Sequence, residues 1–255
     1  MTYDVAKARA LAALHVPGRP LVLFNAWDPG SARAVADAGA VAVATGSASV
    51  AFAFGFEDGE KLPIDLAIDN ARRIVEAVPH LPVTIDFEGG YAASPAEIAA
   101  NVARVQDAGA VGINLEDQIV GEDGLYSIDE QGARIEAVRR AVGADFFINA
   151  RTDLFLKAGV EVHASLVGDA VKRAHAYAEA GASGFFIPAL ASEDGIATIC
   201  AKSPVPVNAY ASPAAPSLRR MAQLGVARIS HGPAPYRLAM AALADAARKA
   251  HGSAG

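Results

Sequence analysis

The sequence predicts an α/β protein with the (β/α)8 TIM barrel fold, as one domain over residues 1–255. Eight short apolar segments alternate with helical segments, and each apolar segment has the length of a buried strand. The four-residue motif Asp-Ala-Gly-Ala begins at Asp37 and again at Asp107, and the variant Glu-Ala-Gly-Ala begins at Glu179. Because glycine often follows a helix end, this recurrence marks a repeated βα unit. Eight such units in 255 residues fit a barrel.

Hydrophobic periodicity and turn residues place the elements in order. A leading amino-terminal helix over Ala6–His15 ends at Pro17-Gly18. The predicted strands are Leu21–Phe24, Val41–Ala44, Leu81–Ile85, Val111–Leu115, Phe146–Ala150, Gly184–Ile187, Val205–Val207 and Val226–Ile229. The predicted helices of the repeat are Pro29–Ala38, Ile64–Val78, Pro95–Ala108, Ile128–Val142, Ser165–Ala180, Glu193–Ala201, Pro216–Leu224 and Pro233–Ala250. The segment Thr45–Ser49 is predicted to be a loop of small residues. A doubly wound open sheet is the alternative fold, but it predicts fewer strands and usually a glycine-rich phosphate loop, and no such loop motif occurs.

Composition excludes several classes of protein. The net charge is −6, and no run of Lys and Arg is present, so nucleic-acid binding is not expected. The sole cysteine, Cys200, cannot form an internal disulfide. No apolar run reaches the length of a membrane span and no signal peptide is recognised, so we expect a cytoplasmic protein that does not bind membranes.

Acidic residues follow two neighbouring predicted strands. Asp86 and Glu88 follow the third strand, ahead of two glycines, and Glu116-Asp117 follows the fourth. The carboxyl ends of barrel strands share one mouth, so we expect these carboxylates to lie close together. Carboxylate oxygens held partly through water are the ligands that Mg²⁺ prefers.

Other strand ends supply complementary chemistry. Arg151 follows the fifth strand and suits a carboxylate or phosphoryl group of a substrate. Thr45-Gly46-Ser47, after the second strand, can offer N–H groups and hydroxyls to the same anion. No lysine stands at a strand end, which argues against a Schiff-base aldolase. Asp28 and His231 are interpreted as structural residues.

Six short motifs occur in a fixed order between Leu21 and Ala242, and together they resemble the isocitrate lyase/phosphoenolpyruvate mutase superfamily. The motifs are Phe24–Asp28, Ala44–Ser47, Phe54–Asp58, Asp86–Tyr91, Asn114–Gln118 and Asn149–Asp153. The resemblance implies a barrel whose eighth helix is exchanged with a neighbouring subunit, in a homodimer or homotetramer.

The resemblance also assigns site residues. It implies Mg²⁺ bound by Asp86, with Glu88 and Glu116 holding its waters and Asp58 nearby as a catalytic group. It implies that Thr45, Gly46 and Ser47 bind the substrate carboxylate, and that Arg151 and Asn208 contact the other side of the substrate.

The chain departs from the superfamily pattern in its lid. Lyases of this superfamily carry a Cys-containing loop after the fourth strand, and the mutases carry Lys and Asn there. The matching stretch here, Gln118–Tyr126, has no Cys, Lys or His. The lyases also carry Glu after a Pro at the sixth strand, where this chain has Ala189. Cleavage of isocitrate or methylisocitrate is therefore disfavoured. We hypothesise that Glu122 of the lid, or Asp123 beside it, is the proton-transfer group when the lid closes over the site, and the alternative is a solvated loop acid.

The predicted activity is that of a Mg²⁺-dependent lyase or mutase. It would cleave or rearrange a C–C or P–C bond of a small 2-oxo or 2-hydroxy acid through an enolpyruvate-like intermediate. One alternative is a Mg²⁺-dependent pyruvate aldolase, which would use the same metal and arginine. The other is a non-catalytic metabolite-binding barrel that has lost its lid chemistry.

Overall fold

The computed structural model describes residues 3–252 and contains one parallel sheet whose strands alternate with helices. The strands are β1 (Leu21–Leu23), β2 (Val43–Ala44), β3 (Val83–Asp86), β4 (Gly112–Glu116), β5 (Phe147–Arg151), β6 (Gly184–Ile187), β7 (Val207–Tyr210) and β8 (Arg228–Ser230). The helices are α1 (Val5–Ala13), α2 (Pro29–Asp37), α3 (Ser47–Ala53), α4 (Ile64–Ala77), α5 (Pro95–Asp107), α6 (Ile128–Val142), α7 (His163–Glu179), α8 (Glu193–Lys202), α9 (Leu218–Gln223) and α10 (Ala234–Gly252). A 3-10 turn lies at Val160–Val162. The predicted domain ends at residues 1–2 and 253–255 lie outside the described part of the chain.

The strands form a nearly closed barrel. β1 pairs with β8, and the sheet continues through β7, β6, β5, β4 and β3 to β2, with every pair parallel. A parallel bridge between Ala26 and Thr45 links the segments that follow β1 and β2. The Ala26 N–H donates to the Ala44 carbonyl oxygen there at 2.8 Å. The prediction of a (β/α)8 barrel is confirmed.

Several elements have bounds that differ from the expectation, and two of these differences have a clear physical reason. The predicted loop Thr45–Ser49 contains the start of α3, whose first residue is Ser47. Its N-cap, Gly46, makes no side-chain cap bond, so the sequence carries no capping signal at this point. β7 begins at Val207 rather than Val205. Pro206 has no N–H to donate to a ladder, and regular pairing starts after it.

The amino end of the barrel is sealed by α1. Leu11 of this helix belongs to a buried apolar cluster with Phe147 of β5. His15 stacks on Phe147 with 4.1 Å between ring centroids, and burial, followed by the charge of Arg228, lowers the pKa of His15 to about 3. A Cβ at Gly112 would lie 2.8 Å from the Phe147 carbonyl oxygen, so this close approach requires glycine. The opposite, carboxyl end is where a barrel site is expected.

The main core lies between the barrel and its surrounding helices. Ile113 and Ile148 on the strands are fully buried, as are Val102 of α5 and Ile135 of α6. This apolar layer fixes the strands that carry the polar residues described below. Among residues 3–252, no helix has the length and apolar character needed to cross a membrane.

Candidate active site

Strands β3, β4 and β5 bring polar side chains to adjacent positions in the barrel. Asp86 is in register with Asn114, which is in register with Asn149, and Glu116 is in register with Arg151. Since side chains alternate along a strand, Asn114 and Glu116 point into the barrel on successive layers. The carboxylates and the arginine predicted from the strand ends are therefore neighbours.

Arg151 is held between two buried carboxylates. Its Nη1 lies 2.8 Å from Glu116 Oε2, and its Nε and Nη2 donate to the two oxygens of Asp153 at 2.5 and 2.9 Å. Burial lowers the pKa of Arg151, but Glu116 and Asp153 raise it by more, so the guanidinium stays charged. Burial raises the pKa of Glu116, and the Arg151 cation opposes that effect. The arrangement is a bidentate, charge-assisted clamp with a fixed orientation.

Asp86 is oriented from three directions. Its Oδ1 accepts from Asn114 Nδ2 at 3.2 Å, and its Oδ2 accepts from the Ser47 N–H at 3.2 Å. The backbone N–H of Asp86 donates to Thr45 Oγ1 at 2.9 Å. The segment that follows β2 is therefore hydrogen-bonded directly to Asp86 at the end of β3.

Glu88 fixes the loop that carries Asp58. Its Oε2 accepts from the backbone N–H groups of Gly59 and Glu60 at 2.9 and 2.7 Å, and its Oε1 accepts from the Tyr91 hydroxyl at 3.3 Å. Burial, followed by the Asp58 carboxylate, raises the pKa of Glu88 to about 7. Its backbone has φ +50°, a left-handed conformation that costs energy for a residue other than glycine. This strain lies within the site itself.

Asp58, Asp86 and Arg151 line one cavity of about 330 Å³ at the carboxyl end of the barrel. Gly46 and Ser47 line the same cavity. Partial burial and the nearby Asp86 raise the pKa of Asp58, whereas Arg151 and hydrogen bonds from Gly59 and Ser47 lower it. The cavity volume of about 330 Å³ is within the range of small-molecule sites.

Five predicted residues do not line this cavity. Thr45 and Glu88 line a smaller pocket together with Asp86, and Glu116 contacts Arg151, whereas Asn208 and Glu122 have neither link. Asn208 is buried one layer below the mouth, where it exchanges hydrogen bonds with Ser230 at 3.2 and 3.3 Å, while Tyr210 of the same strand reaches the cavity. Glu122 lines a different cavity, of about 280 Å³, on the far side of the Glu88 segment. The structure therefore does not bring Glu122 to Asp86, and its catalytic role stays a prediction.

Asp117 points away from the mouth, although it directly follows Glu116. It is fully buried and accepts from Arg173 Nη1 at 2.9 Å and the Tyr177 hydroxyl at 2.8 Å. Its Oδ1 accepts from the Asp153 N–H at 2.9 Å, so it positions the acid that holds Arg151. The two-residue period of a strand explains why only Glu116, of the two consecutive acids, contacts Arg151.

The segment after β8 is joined to the mouth through Asn25. Its Oδ1 accepts from the N–H groups of His231 and Gly232 at 2.8 and 2.9 Å, and its Nδ2 donates to the Thr45 carbonyl at 2.7 Å. The His231 ring packs against Phe24 with 5.2 Å between centroids. These contacts fit the structural role expected for His231.

Comparison with known proteins shows the family to which the chain belongs. A family model described as phosphoenolpyruvate phosphomutase matches residues 11–251. An uncharacterised protein of Mycobacterium tuberculosis is 34% identical over 235 residues, which cover 92% of this chain and 86% of that protein.

Two solved structures share the fold. A crystal structure of a provisionally assigned phosphonomutase from Burkholderia cenocepacia J2315 is 48% identical, with a TM-score of 0.93, and the match covers 96% of this chain and 98% of that one. A phosphonopyruvate hydrolase in complex with oxalate and Mg²⁺ is 24% identical, with a TM-score of 0.86 and coverage of 100% and 89%, and at this identity the likeness shows the fold alone. The chain therefore belongs to the phosphoenolpyruvate phosphomutase family, within the phosphoenolpyruvate mutase/isocitrate lyase superfamily of enzymes.

Proposed function

We propose that this protein is a Mg²⁺-dependent enzyme acting on a small 2-oxo or 2-hydroxy acid. It cleaves or rearranges a C–C or P–C bond of that acid through an enolpyruvate-like intermediate. The observation that carries the proposal is the cavity in which Asp86 faces the Arg151 clamp, beside Ser47 and Asp58. Carboxylates and an oriented guanidinium in one small cavity suit an anionic substrate whose negative charge increases during the reaction.

The donor set of the site suits Mg²⁺. Within residues 3–252, no group of three or more His, Cys, Asp or Glu side chains is placed to hold a metal ion directly. Mg²⁺ does not need such a group, because it commonly keeps several waters and uses one or two carboxylates. Asp86 can therefore bind the ion while Glu116 and Glu88 hold its waters. Glu88 Oε1 accepts a single bond, of 3.3 Å, and has acceptor capacity left. When bound, the ion would supply Lewis-acid stabilisation of negative oxygen.

The chain's own residues would bind and orient the substrate. The Arg151 guanidinium donates two hydrogen bonds to Asp153 and forms an ion pair with Glu116, so N–H groups on Nη1 and Nη2 remain for a substrate oxygen. Thr45, Gly46 and Ser47 would contact the substrate carboxylate, with the Ser47 N–H released from Asp86. Asp58, whose pKa is raised, is better placed than Glu122 to move a proton in this cavity.

Calorimetric binding of oxalate, a mimic of the enolpyruvate group, tests this proposal. We expect oxalate to bind with Mg²⁺ and to lose at least about 100-fold in affinity with EDTA or in Asp86→Ala, because second-shell changes alone weaken metal binding by up to that amount. Asp107→Ala, on α5, serves as the matched control. Oxalate binding that depends on neither Mg²⁺ nor Asp86 would exclude the proposed site. If the expected dependence is observed, a panel of substrates tested for pyruvate release is the next experiment.

We also propose that the protein is a homodimer or homotetramer in which α10 is exchanged between subunits. Leu238 and Leu243 of α10 are 65% and 62% exposed, and little of this helix is buried. A groove of about 810 Å³, lined by Val22, Phe24 and α2, lies beside the start of α10. Exposed apolar surface of this extent favours a second copy of the chain as its cover. A cytoplasmic location remains a prediction.

The Leu238→Glu/Leu243→Glu double variant is expected to shift the protein toward monomers, because each glutamate would be buried unpaired in the exchanged interface. Light scattering after size-exclusion chromatography measures the mass directly. Leu66→Glu, on the 40%-exposed leucine of α4, is the control and should keep the wild-type mass. An unchanged mass in the double variant would contradict the exchange.

A further inference from the structure

An arginine on a helix outside the barrel is bonded to the segment that follows β4. Arg173 lies on α7, and its side chain is 12% exposed. Its Nη1 donates to Asp117 Oδ2 at 2.9 Å, to the Tyr126 carbonyl oxygen at 3.1 Å and to the Tyr177 hydroxyl oxygen at 2.6 Å. The Tyr177 hydroxyl in turn donates to Asp117 Oδ2 at 2.8 Å. None of these three partners of Arg173 lines the cavity.

Tyr126 is also fixed from a second side. The Arg134 guanidinium carbon lies 4.0 Å from the centre of the Tyr126 ring, and a cation above an aromatic ring is attracted to it. The backbone N–H of Tyr126 donates to the Asp117 carbonyl oxygen at 2.8 Å. Because its ring, its N–H and its carbonyl group are all engaged, Tyr126 gives Arg173 a well-fixed partner.

Asp117 connects Arg173 to the end of β5. The backbone N–H of Asp117 donates to the Arg151 carbonyl oxygen at 3.0 Å, and its Oδ1 accepts from the Asp153 N–H at 2.9 Å. Asp117 therefore bonds the main chain on both sides of Thr152. Arg151 and Asp153 are the residues whose side chains pair in the clamp. The main-chain positions of both thus depend on where Asp117 is held.

We propose that Arg173 is a positioning residue for the reaction, because it sets the direction of the Arg151 guanidinium through Asp117. The proposal rests on the proposed function, in which Arg151 contacts an oxygen of the bound acid. Forming a buried ion pair gives little net stability, because both charged groups lose water. The effect of this pair is on geometry, since a small displacement of a group that orients a substrate can greatly weaken its action.

Two ligands separate this role from a general effect on the site. In the proposed site, oxalate with Mg²⁺ needs both the metal ligands and Arg151, whereas Mn²⁺ alone, which suits the same oxygen ligands, needs only the former. Calorimetric affinities for both are measured in the wild type, Arg173→Met and Arg173→Lys. Lys172→Met is the matched control, because Lys172 is the neighbouring residue of α7 and pairs with Asp169 at the surface.

Arg173→Met is expected to weaken oxalate binding about tenfold and to change the Mn²⁺ affinity by less than about twofold. Arg173→Lys keeps a charge opposite Asp117 but lacks the planar fork, so it should retain part of the oxalate affinity that Arg173→Met loses. Lys172→Met should match the wild type with both ligands. Equal losses of oxalate and Mn²⁺ affinity in Arg173→Met, or an unchanged oxalate affinity, would overturn the positioning role.

An NMR signal reports on the clamp without any ligand. The signal of the Arg151 Nε–H group, which donates to Asp153, is identified by its absence in Arg151→Lys. We expect its chemical shift to move in Arg173→Met and, by less, in Arg173→Lys. If Arg173→Met does not fold, an unchanged shift and an unchanged oxalate affinity in Arg173→Lys would overturn the proposal.

Failure of the proposed function gives a different result. A wild type that binds no oxalate with Mg²⁺ would overturn that function, and the Arg151 Nε–H signal would then decide on the role of Arg173. A shift that is the same in the wild type and Arg173→Met would overturn the positioning role as well, whereas a moved shift would support it.

Discussion

Arg151→Met is expected to lower the free energy of unfolding by about 3–5 kcal/mol and to abolish turnover. The side chains of Glu116 and Asp153 are 3% and 1% exposed, and both depend on Arg151 for compensation. Removing the cation leaves two buried carboxylates unpaired, which is the costly way to break a buried ion pair. Substrate orientation would be lost with it, because the guanidinium faces the cavity.

The loss of stability should increase with pH. Burial raises the pKa of Glu116, and without the opposing Arg151 cation this pKa would rise further, so the folded variant would hold a proton that the unfolded chain releases. The stability of the variant is then highest at low pH and falls as the pH rises toward the raised pKa of Glu116. Urea unfolding of Arg151→Met at pH 5 and pH 8, in the presence of EDTA, measures this trend.

Arg220→Met is the matched control, since Arg220 forms an ion pair with Glu193 in which both side chains are nearly half exposed. Its stability should stay close to that of the wild type, as for most surface pairs. The triple variant Arg151→Met/Glu116→Gln/Asp153→Asn should recover part of the lost stability, but no activity. Equal stability of Arg151→Met and the wild type would contradict the account of the clamp.

The convergence of polar residues at the carboxyl end of the barrel could be predicted because strand ends are local features. Asp86, Glu116 and Arg151 each follow a short apolar run, and the barrel topology then brings them together. The orientation of two consecutive acids is harder to predict. Asp117 directly follows Glu116 in the sequence, but strand alternation turns its side chain outward to Arg173. The phase of a strand depends on its register, which the sequence did not reveal.

The remaining differences between the predicted and the observed site concern how deep a residue lies in the barrel and which distant segments the fold brings to the cavity. Asn208 stands at a strand end in the sequence, yet β7 runs on to Tyr210, and that shift leaves Asn208 below the mouth. Arg237, which lines the cavity, carries no local signal, because its approach to the cavity depends on how α10 leaves the barrel. Arg228 also has no local signal of its role, because it is a single charged residue at the start of β8, whose other residues are apolar or small.

Arg228 shows how the interior of the barrel serves the site. It is fully buried and has no carboxylate within ion-pair distance among residues 3–252, and burial lowers its pKa to about 10. Its Nη2 donates to Asn114 Oδ1 at 3.1 Å, and its Nη1 has no partner. The Asn114 amide in turn donates to Asp86. A costly buried cation is therefore connected, through one amide, to the proposed metal ligand.

Arg228→Met is expected to raise the free energy of unfolding by about 1–4 kcal/mol, as buried charges replaced by apolar residues of similar volume often do. The partners of Arg228 would not be left unsatisfied, because Asn149 still donates to Asn114 Oδ1 at 2.8 Å. Ser230 likewise keeps its bonds to Asn208. The same change should weaken Mg²⁺-dependent oxalate binding by about tenfold, since a partner of a metal ligand is lost.

Arg134→Met is the matched control for this prediction, because Arg134 is also a buried arginine and should respond in the opposite direction. Its guanidinium donates to the carbonyl oxygens of Gly89, Ala92 and Ala93 at 2.6 to 3.1 Å. Removing it leaves those carbonyl groups without their donor, so stability should fall. Urea unfolding and oxalate calorimetry on both variants distinguish the roles of the two arginines. A destabilised Arg228→Met would mean that the cation supports the fold, and a stabilised variant with unchanged oxalate binding would mean that it does not position Asp86. Higher stability with weaker binding is the combination expected of a charge retained for the site at the expense of the fold.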